Sequence, residues 1–179
     1  PLNKRKQKSS VPQHIAKLPL PKKQLKNKKS FSDTTKLLKI PERPGVYAIW
    51  QNEDLLYVGM AGRGWDYQTS KRGNGNLKSR LQNHAKARRN NILAYYLIEN
   101  YVGRRISKKQ WEEFKDPSKD KTLQSEVQKY INTYLSYSYA VSEIKGKNPR
   151  RYSGVIAADW EKQLIAGALD GIQPEFNIK

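Results

Sequence analysis

Two tyrosines in this sequence lie in short apolar segments that a polar turn separates. Tyr47 belongs to the segment 45–50 (GVYAIW), Tyr57 belongs to the segment 55–59 (LLYVG), and residues 51–54 between them are polar. β-Branched and aromatic runs around such a turn predict a β-hairpin. If the strands pair around this turn, we expect both phenols at matching depths and facing one pocket. A single strand tyrosine is more often a packing residue, so the pair needs further partners to indicate chemistry.

A basic segment after the hairpin supplies an arginine and a histidine. Residues 77–89 (LKSRLQNHAKARR) repeat apolar residues at helical spacing after Asn76, which can cap a helix, so we expect a basic amphipathic helix. Arg80 and His84 are four residues apart and therefore share one face. They could both point at a phosphate held above the hairpin. The alternative is a solvated basic face, which is common in a chain of this charge.

A carboxylate and an amide near the end of the chain are the other candidates. Glu161 follows Trp160 in the segment 155–169 (VIAADWEKQLIAGAL), which is otherwise mostly apolar and small and predicts a helix. There it could be held inward as a metal ligand, or it could be an ordinary exposed helical glutamate. Asn177 could hydrogen-bond a substrate or orient a catalytic side chain, although by itself it carries little information.

These residue types correspond to the needs of phosphodiester hydrolysis. The reaction requires a base or a positioned hydroxyl to activate water, an arginine or cation to absorb negative charge, and usually a carboxylate-bound metal. The chain has no cysteine and only two histidines, which excludes disulfides, thiolate catalysis and cysteine-based zinc sites. Any metal is therefore expected to be a hard cation with oxygen ligands.

The charge of the chain favours nucleic acid as its partner. Lys and Arg number 35 against 16 acidic residues, a formal net charge of +19. So large an imbalance attracts polyanions. The mean hydropathy is low, at −0.91, but eleven Tyr and four Trp can still build a core. Because no apolar run is long enough to span a membrane or to resemble an export signal, a soluble cytoplasmic protein without membrane contact is expected.

Residues 1–40 predict a largely extended basic N-terminal arm. They contain twelve Lys or Arg and a single acid, Asp33, together with four prolines. The arm is either a plain solvated tail or a segment that follows phosphates by charge and counterion release, and composition does not choose between them. Beyond the hairpin, the pattern predicts a glycine-rich loop at 61–76, a strand at 92–98, helices at 107–114 and 123–135, a strand at 137–144 and a basic loop at 145–154.

Five pieces in order resemble the GIY-YIG nuclease superfamily: PGVYAIW, LLYVGMAG, LKSRLQNHAKARR, WEKQLI and PEFN. GVY at 45–47 stands for the first name-giving triplet and YVG at 57–59 for the second. The resemblance implies that Arg80 neutralises the scissile phosphate, that Glu161 is the single metal-binding carboxylate, and that Asn177 supports the site. His84 matches a histidine found in many members.

The resemblance also implies an architecture. It predicts an α+β fold, with a small mixed, mainly antiparallel β-sheet flanked by helices. The nuclease domain would cover residues 41–179, with a helical insertion at about 99–133 that has no counterpart in the family and is a candidate for target recognition. Residues 1–40 would form the separate arm.

The implied activity is that of a metal-dependent DNA endonuclease that uses one divalent ion, Mg²⁺, with Mn²⁺ able to substitute. Tyr47 or Tyr57 would be the general base, and His84 is the alternative base or a second phosphate contact. A chain of this size suggests a type II restriction enzyme that cuts double-stranded DNA as a homodimer or a transient dimer; homing, phage and repair nucleases are the alternatives. A non-catalytic DNA- or RNA-binding protein is the competing class. The expected DNA-binding residues are Lys71, Arg72, Lys78, Arg88 and Arg89.

Overall fold

A computed structural model describes residues 18–62, 75–88, 91–105, 107–115, 121–143 and 149–177. Seven helices and four strands lie in these ranges. The helices are α1 (Lys22–Lys26), α2 (Thr34–Leu38), α3 (Leu77–Ala85), α4 (Ile92–Leu97), α5 (Lys108–Lys115), α6 (Lys121–Tyr134) and α7 (Pro149–Ile165). The strands are β1 (Lys29–Ser30), β2 (Gly45–Gln51), β3 (Asp54–Ala61) and β4 (Leu135–Val141).

The four strands form one antiparallel sheet in the order β1-β4-β2-β3, so the predicted α+β class is confirmed. β2 and β3 form the expected hairpin, in which Gln51 pairs with Asp54. Asn52 in the turn has φ 53°, a left-handed conformation that asparagine tolerates well. α4 continues into a π-helical turn at Ile98–Val102 and a 3₁₀ turn at Gly103–Arg105.

The sheet separates two hydrophobic clusters. On one face, Ile49 and Tyr137 pack with residues from α3, α4 and α6. On the other face, Val46 and Trp50 pack with residues of α7 and with Leu25 of α1. Both faces are covered, so β2 is apolar along nearly its whole length rather than alternating.

The N-terminal prediction is wrong for residues 18–40, which belong to the folded body. Leu25 and Phe31 are at most 1% exposed, and β1 pairs with β4 along the edge of the sheet. The Trp160 indole N–H donates to the Leu18 carbonyl at 3.0 Å. A few apolar residues spread among lysines are enough to anchor this segment. Leu25 enters the cluster beneath α7, and Phe31, Leu37 and Ile40 enter the cluster on the other face of the sheet. Residues 1–17 lie outside the described part of the chain.

The middle of the chain differs from the prediction at one element. Residues 92–98 were expected to be a strand, but they form α4 and the start of the π-helical turn. A short apolar run does not distinguish a strand from a buried helix, and here the Asn91 side chain accepts from the Leu93 N–H and caps a helix. The predicted helices at 107–114 and 123–135 correspond to α5 and α6, and the strand at 137–144 corresponds to β4.

Two predicted loops lie partly outside the described residues, and one of them is partly helical. The basic loop expected at 145–154 is wrong for its second half, because α7 begins at Pro149, which is well suited to the first helical turn. Residues 144–148 are outside the described residues. Of the loop expected at 61–76, only residues 61, 62, 75 and 76 are among the described residues. None of the described helices combines the length and apolar character that a membrane crossing requires.

Candidate active site

The two tyrosines of the hairpin lie on the same face of the sheet but not at matching depths. Tyr47 is paired with Gly59, and Tyr57 is paired with Ile49, so the phenols are diagonal neighbours. Their ring centroids are 6.3 Å apart. The register shifts between Ile49 and Trp50, which adds a residue to β3 at the turn end of the hairpin. Because the irregularity lies beyond the two tyrosines, regular pairing holds both side chains on one face.

A glycine makes room for the Tyr47 ring. A Cβ atom at Gly59 would clash with the hydroxyl and with the ring carbon that carries it. The ring therefore lies directly over the backbone of β3. Gly45 has a similar role on the other side, where a Cβ atom would clash with the Ala140 carbonyl of β4. The glycine of each triplet thus permits a close approach rather than a turn.

Helix α3 carries Arg80 and His84 and is fixed firmly at its start. Asn76 and Ser79 form a reciprocal capping box, in which the Ser79 N–H donates to Asn76 Oδ1 at 2.8 Å. The Leu77 N–H donates to the Arg43 carbonyl just before β2. This contact ties the first turn of the helix to the start of the strand that carries Tyr47. As predicted, Arg80 and His84 share one face of α3, and both line the cavity described below.

His84 is buried and bonded to Tyr47. Only 4% of the residue is exposed, and its Nε2 lies 2.8 Å from the Tyr47 hydroxyl. Burial, together with the nearby positive charge of Arg80, lowers the pKa of His84 to about 3. The ring is therefore neutral at physiological pH. A buried neutral ring that already contacts Tyr47 is placed to orient that phenol rather than to approach a phosphate from solvent.

An open cavity of about 200 Å³ joins these groups. Its lining residues are Tyr47, Tyr57, Arg80, Asn83, His84, Asn91 and Ile92. Four of them were predicted from the sequence. Asn83, Asn91 and Ile92 were not, because they come from the end of α3 and the start of α4, and α4 was expected to be a strand. The position of Asn91 before an apolar run was the available signal for a helix cap.

The two phenols differ in accessibility. Tyr47 is 3% exposed, and burial and the neighbouring Tyr57 raise its pKa well above the usual value. Tyr57 is half-buried, and its pKa is raised by burial and by the charge of Glu161. Interaction with Tyr47 and the charge of Arg80 lower the pKa of Tyr57 in part. Tyr47 contacts both His84, whose Nε2 is 2.8 Å from its hydroxyl, and the more accessible Tyr57.

Glu161 belongs electrostatically to the same site. It lies on α7, next to the buried Trp160, and is itself half-buried. Its negative charge raises the pKa of both Tyr47 and Tyr57, so it acts across the sheet on the phenols. Tyr47, Tyr57, Arg80 and His84 thus line the cavity, and Glu161 acts on its two phenols by charge without lining it.

The donor set is compatible with one hard cation. Among the described residues no group of three or more His, Cys, Asp or Glu comes together, so a cage made entirely of protein ligands is not formed there. Mg²⁺ commonly keeps several waters and binds through one or two carboxylates plus substrate phosphate oxygens. Glu161 supplies one carboxylate, and its charge raises the pKa values of Tyr47 and Tyr57. One carboxylate completed by water and phosphate oxygens is a donor set of the kind that Mg²⁺ accepts, so the residue types fit such an ion.

Asn177 binds the backbone of β3. Its side-chain N–H donates to the Val58 carbonyl at 2.9 Å, and its Oδ1 accepts from the Val58 N–H at 2.7 Å. The preceding Glu175 and Phe176 donate their backbone N–H groups to Leu55 and Leu56. Two roles were expected for Asn177, binding a substrate or orienting a catalytic side chain. Its bonds correspond to the second role, because they hold Val58, the residue that follows Tyr57 in β3.

The predicted DNA-binding residues are only partly described. Lys78 Nζ lies 3.1 Å from Glu42, so its charge is partly compensated. Arg88 is exposed just after α3. Lys71, Arg72 and Arg89 lie outside the described residues. Comparison with protein-family models, with curated proteins and with solved structures finds no match to this chain.

Proposed function

We propose that this protein is a metal-dependent endonuclease that hydrolyses phosphodiester bonds in double-stranded DNA. The observation that supports this most strongly is that Tyr57 and Arg80 line one open cavity and that the charge of Glu161 acts on its phenols. Tyr47 and His84 line the same cavity and are hydrogen-bonded to each other. A phenol, a guanidinium and a carboxylate are the three kinds of group that the reaction requires.

Tyr57 is the proposed general base. It is the more exposed phenol, and Tyr47 and the charge of Arg80 lower its pKa in part, against the rise caused by burial and by the charge of Glu161. As a phenolate, Tyr57 takes a proton from the attacking water while the water oxygen bonds to phosphorus. The bond from phosphorus to the leaving sugar oxygen breaks in the same step, and that oxygen takes a proton from solvent water. Arg80 stabilises the negative charge that develops on the phosphate oxygens. A divalent cation bound at Glu161 would add positive charge that polarises the phosphate and lowers the pKa of the nearby phenol.

Tyr47 and His84 are positioning residues in this proposal. The hydrogen bond between His84 and Tyr47 holds the Tyr47 ring beside Tyr57. Because Tyr47 and His84 are buried and the pKa of His84 is about 3, this pair stays neutral and fixed when a charged substrate binds. Its contribution is to fix the orientation of the reactive phenol.

The charge and the shape of the site support DNA as the substrate. The formal net charge of +19 favours a polyanion, and the cavity is open rather than enclosed. The finer proposal is site-specific cleavage of both strands, as in a type II restriction enzyme. One active site cuts one strand at a time, so a homodimer or two binding events would be needed.

Supercoiled plasmid tests the proposal directly. Wild type with Mg²⁺ or Mn²⁺ is expected to nick and then linearise the plasmid, and EDTA is expected to abolish this. Glu161→Gln should remove cleavage without loss of DNA binding. Asp159→Asn is the matched control, because Asp159 lies on the same helix but binds Gln163 at 2.7 Å. Folded wild type that binds many DNAs and cuts none would favour a non-catalytic nucleic-acid-binding protein instead.

A further inference from the structure

Two exposed apolar side chains lie on one face of α4, and one of them lines the cavity. Ile92 is 51% exposed and forms part of the cavity wall, and Tyr95 is 58% exposed on the same helix, α4. They are three residues apart, so they lie on one face of the helix. The opposite face is used by the core, where Leu93, Ala94 and Leu97 are at most 2% exposed. Ile92 and Tyr95 therefore contribute little to folding.

The two side chains are held in place. Asn91 caps α4, and its side-chain N–H also donates to the Asn83 carbonyl at the end of α3. This contact links the start of α4 to the helix that carries Arg80. Tyr95 contacts the edge of Tyr96 at a centroid distance of 6.5 Å, and Tyr96 in turn stacks on Phe176 at 5.0 Å. The exposed pair thus projects from a rigid support.

We propose that Ile92 and Tyr95 form an apolar wedge that contacts and unstacks the bases of duplex DNA next to the phosphate held at Arg80. This inference rests on the proposed function. Nucleobases are flat, largely apolar groups attached to an anionic backbone. A phosphate at Arg80 would bring the neighbouring bases to the rim that Ile92 forms. Isoleucine is used in this way between base steps, and tyrosine offers a stacking surface.

Charge favours bases over a second copy of the chain as the occupant. Arg80, Lys86 and Arg88 are exposed around the end of α3, close to the start of α4. Each copy carries a formal charge of +19, so two such surfaces repel one another, whereas DNA supplies negative charge and apolar bases together. Unstacking would widen the space around the scissile phosphate and admit it to the cavity.

The first experiment needs no cleavage. Wild type in EDTA is mixed with duplexes that carry one 2-aminopurine at different positions, because this base becomes brighter when it is unstacked. We expect a rise at one or more positions. The double variant Ile92→Ser with Tyr95→Ser should lose it while still binding DNA, and Tyr95→Phe should keep it. The matched control combines Leu38→Ser and Tyr134→Ser, which are 64% and 50% exposed and do not line the cavity.

The second experiment compares cleavage of paired DNA with DNA mismatched at the cleavage site. The double variant should cut paired DNA about ten-fold or more slowly, the scale of a lost stacking contact, and should cut mismatched DNA almost normally. Equal loss on both substrates, or equal loss in the control variant, would overturn the wedge. So would a 2-aminopurine signal that is absent in wild type or retained in the double variant.

Two further outcomes distinguish failure of the proposed function from failure of the wedge. Wild type that unstacks bases but cuts no DNA would leave the wedge in place and reject the proposed function. Sedimentation is the check on a second copy of the chain. A wild-type dimer that the double variant dissociates would show that this face binds another protomer, and the wedge would then be rejected.

Discussion

Two basic regions of this molecule differ in the groups that lie next to their positive charges. In the N-terminal segment 22–36, lysines have partners within the protein. Lys22 and Lys26 both pair with Asp170. Lys28 bonds Glu53 at 2.9 Å and also lies over the Trp50 ring at 4.6 Å. These contacts hold the segment against the hairpin and the C-terminal turn.

At the cavity, by contrast, the positive charge acts on groups that can titrate. The guanidinium of Arg80 lowers the pKa of His84 and counteracts the rise in the pKa values of Tyr47 and Tyr57. The carboxylate of Glu161 opposes it at both phenols. A high lysine content therefore does not by itself predict a DNA-binding surface, because lysines of the N-terminal segment pair within the protein. Under the proposed function, the important cation is Arg80, which lines an open cavity together with two phenols.

The largest expected difference is between the two phenols. Tyr57→Phe should lower the single-turnover cleavage rate about 10²- to 10⁴-fold, as for a lost general base. Tyr47→Phe should lower it less, about 10- to 100-fold, as for a lost orienting group. Rates are measured on plasmid at saturating Mg²⁺. A larger loss for Tyr47→Phe would assign the role of general base to the buried phenol and the positioning role to Tyr57.

His84 should make the stability of the protein depend on pH. Above about pH 6.5 its ring is neutral in both the folded and the unfolded chain, so it adds no pH dependence. Between about 6.5 and about 3, the unfolded chain binds a proton that the folded chain excludes. The free energy of unfolding should therefore fall with decreasing pH, by ~1.4 kcal/mol per unit from this residue.

Urea unfolding of wild type and His84→Gln from pH 7 to pH 4 measures this contribution. The difference between the two should change steadily below pH 6.5 and stay constant above it. The same substitution at His14, the other histidine, shows how much of any slope is common to histidines. A constant difference over the whole range would mean that His84 titrates normally and is not buried as described.

In the N-terminal segment the effects should be on stability alone. Lys28→Gln removes an ion pair and a cation–π contact, and should cost about 1 kcal/mol of unfolding free energy. Lys36→Gln should cost less, about 0.5 kcal/mol or below, because its pair with Asp33 is a local surface contact. Cleavage by both variants should match wild type. Slower cleavage or weaker DNA binding with unchanged stability would instead assign these lysines to the DNA surface.

Local patterns were enough to predict the hairpin and helix α3. Glycine, aromatic and β-branched residues around a polar turn favour paired strands whatever else the chain does. Asn76 and the apolar spacing after it likewise favour a helix. Arg80 and His84 then share a face as a consequence of helix geometry. These features depend on residues close in sequence, so they can be predicted without the rest of the molecule.

Other features depended on distant contacts and were missed. The segment 18–40 looks like a solvated tail, since it contains seven lysines and no regular apolar period. Pairing with β4 and burial of Leu25 and Phe31 make it part of the fold. The apolar run 92–98 was compatible with a strand. Its helical form allows Leu93 and Leu97 to enter the core together and leaves Ile92 and Tyr95 outside it.

Residue types and short-range spacing predicted the candidate groups, the hairpin and helix α3. The phenols, the arginine, the histidine, the carboxylate and the high positive charge can all be read from the chain. Which phenol is accessible, that the ring of His84 is neutral, and that Asn177 binds the backbone of β3 became known from the folded chain. Burial, pKa and hydrogen-bond partners depend on neighbours from distant parts of the chain, so local patterns do not predict them.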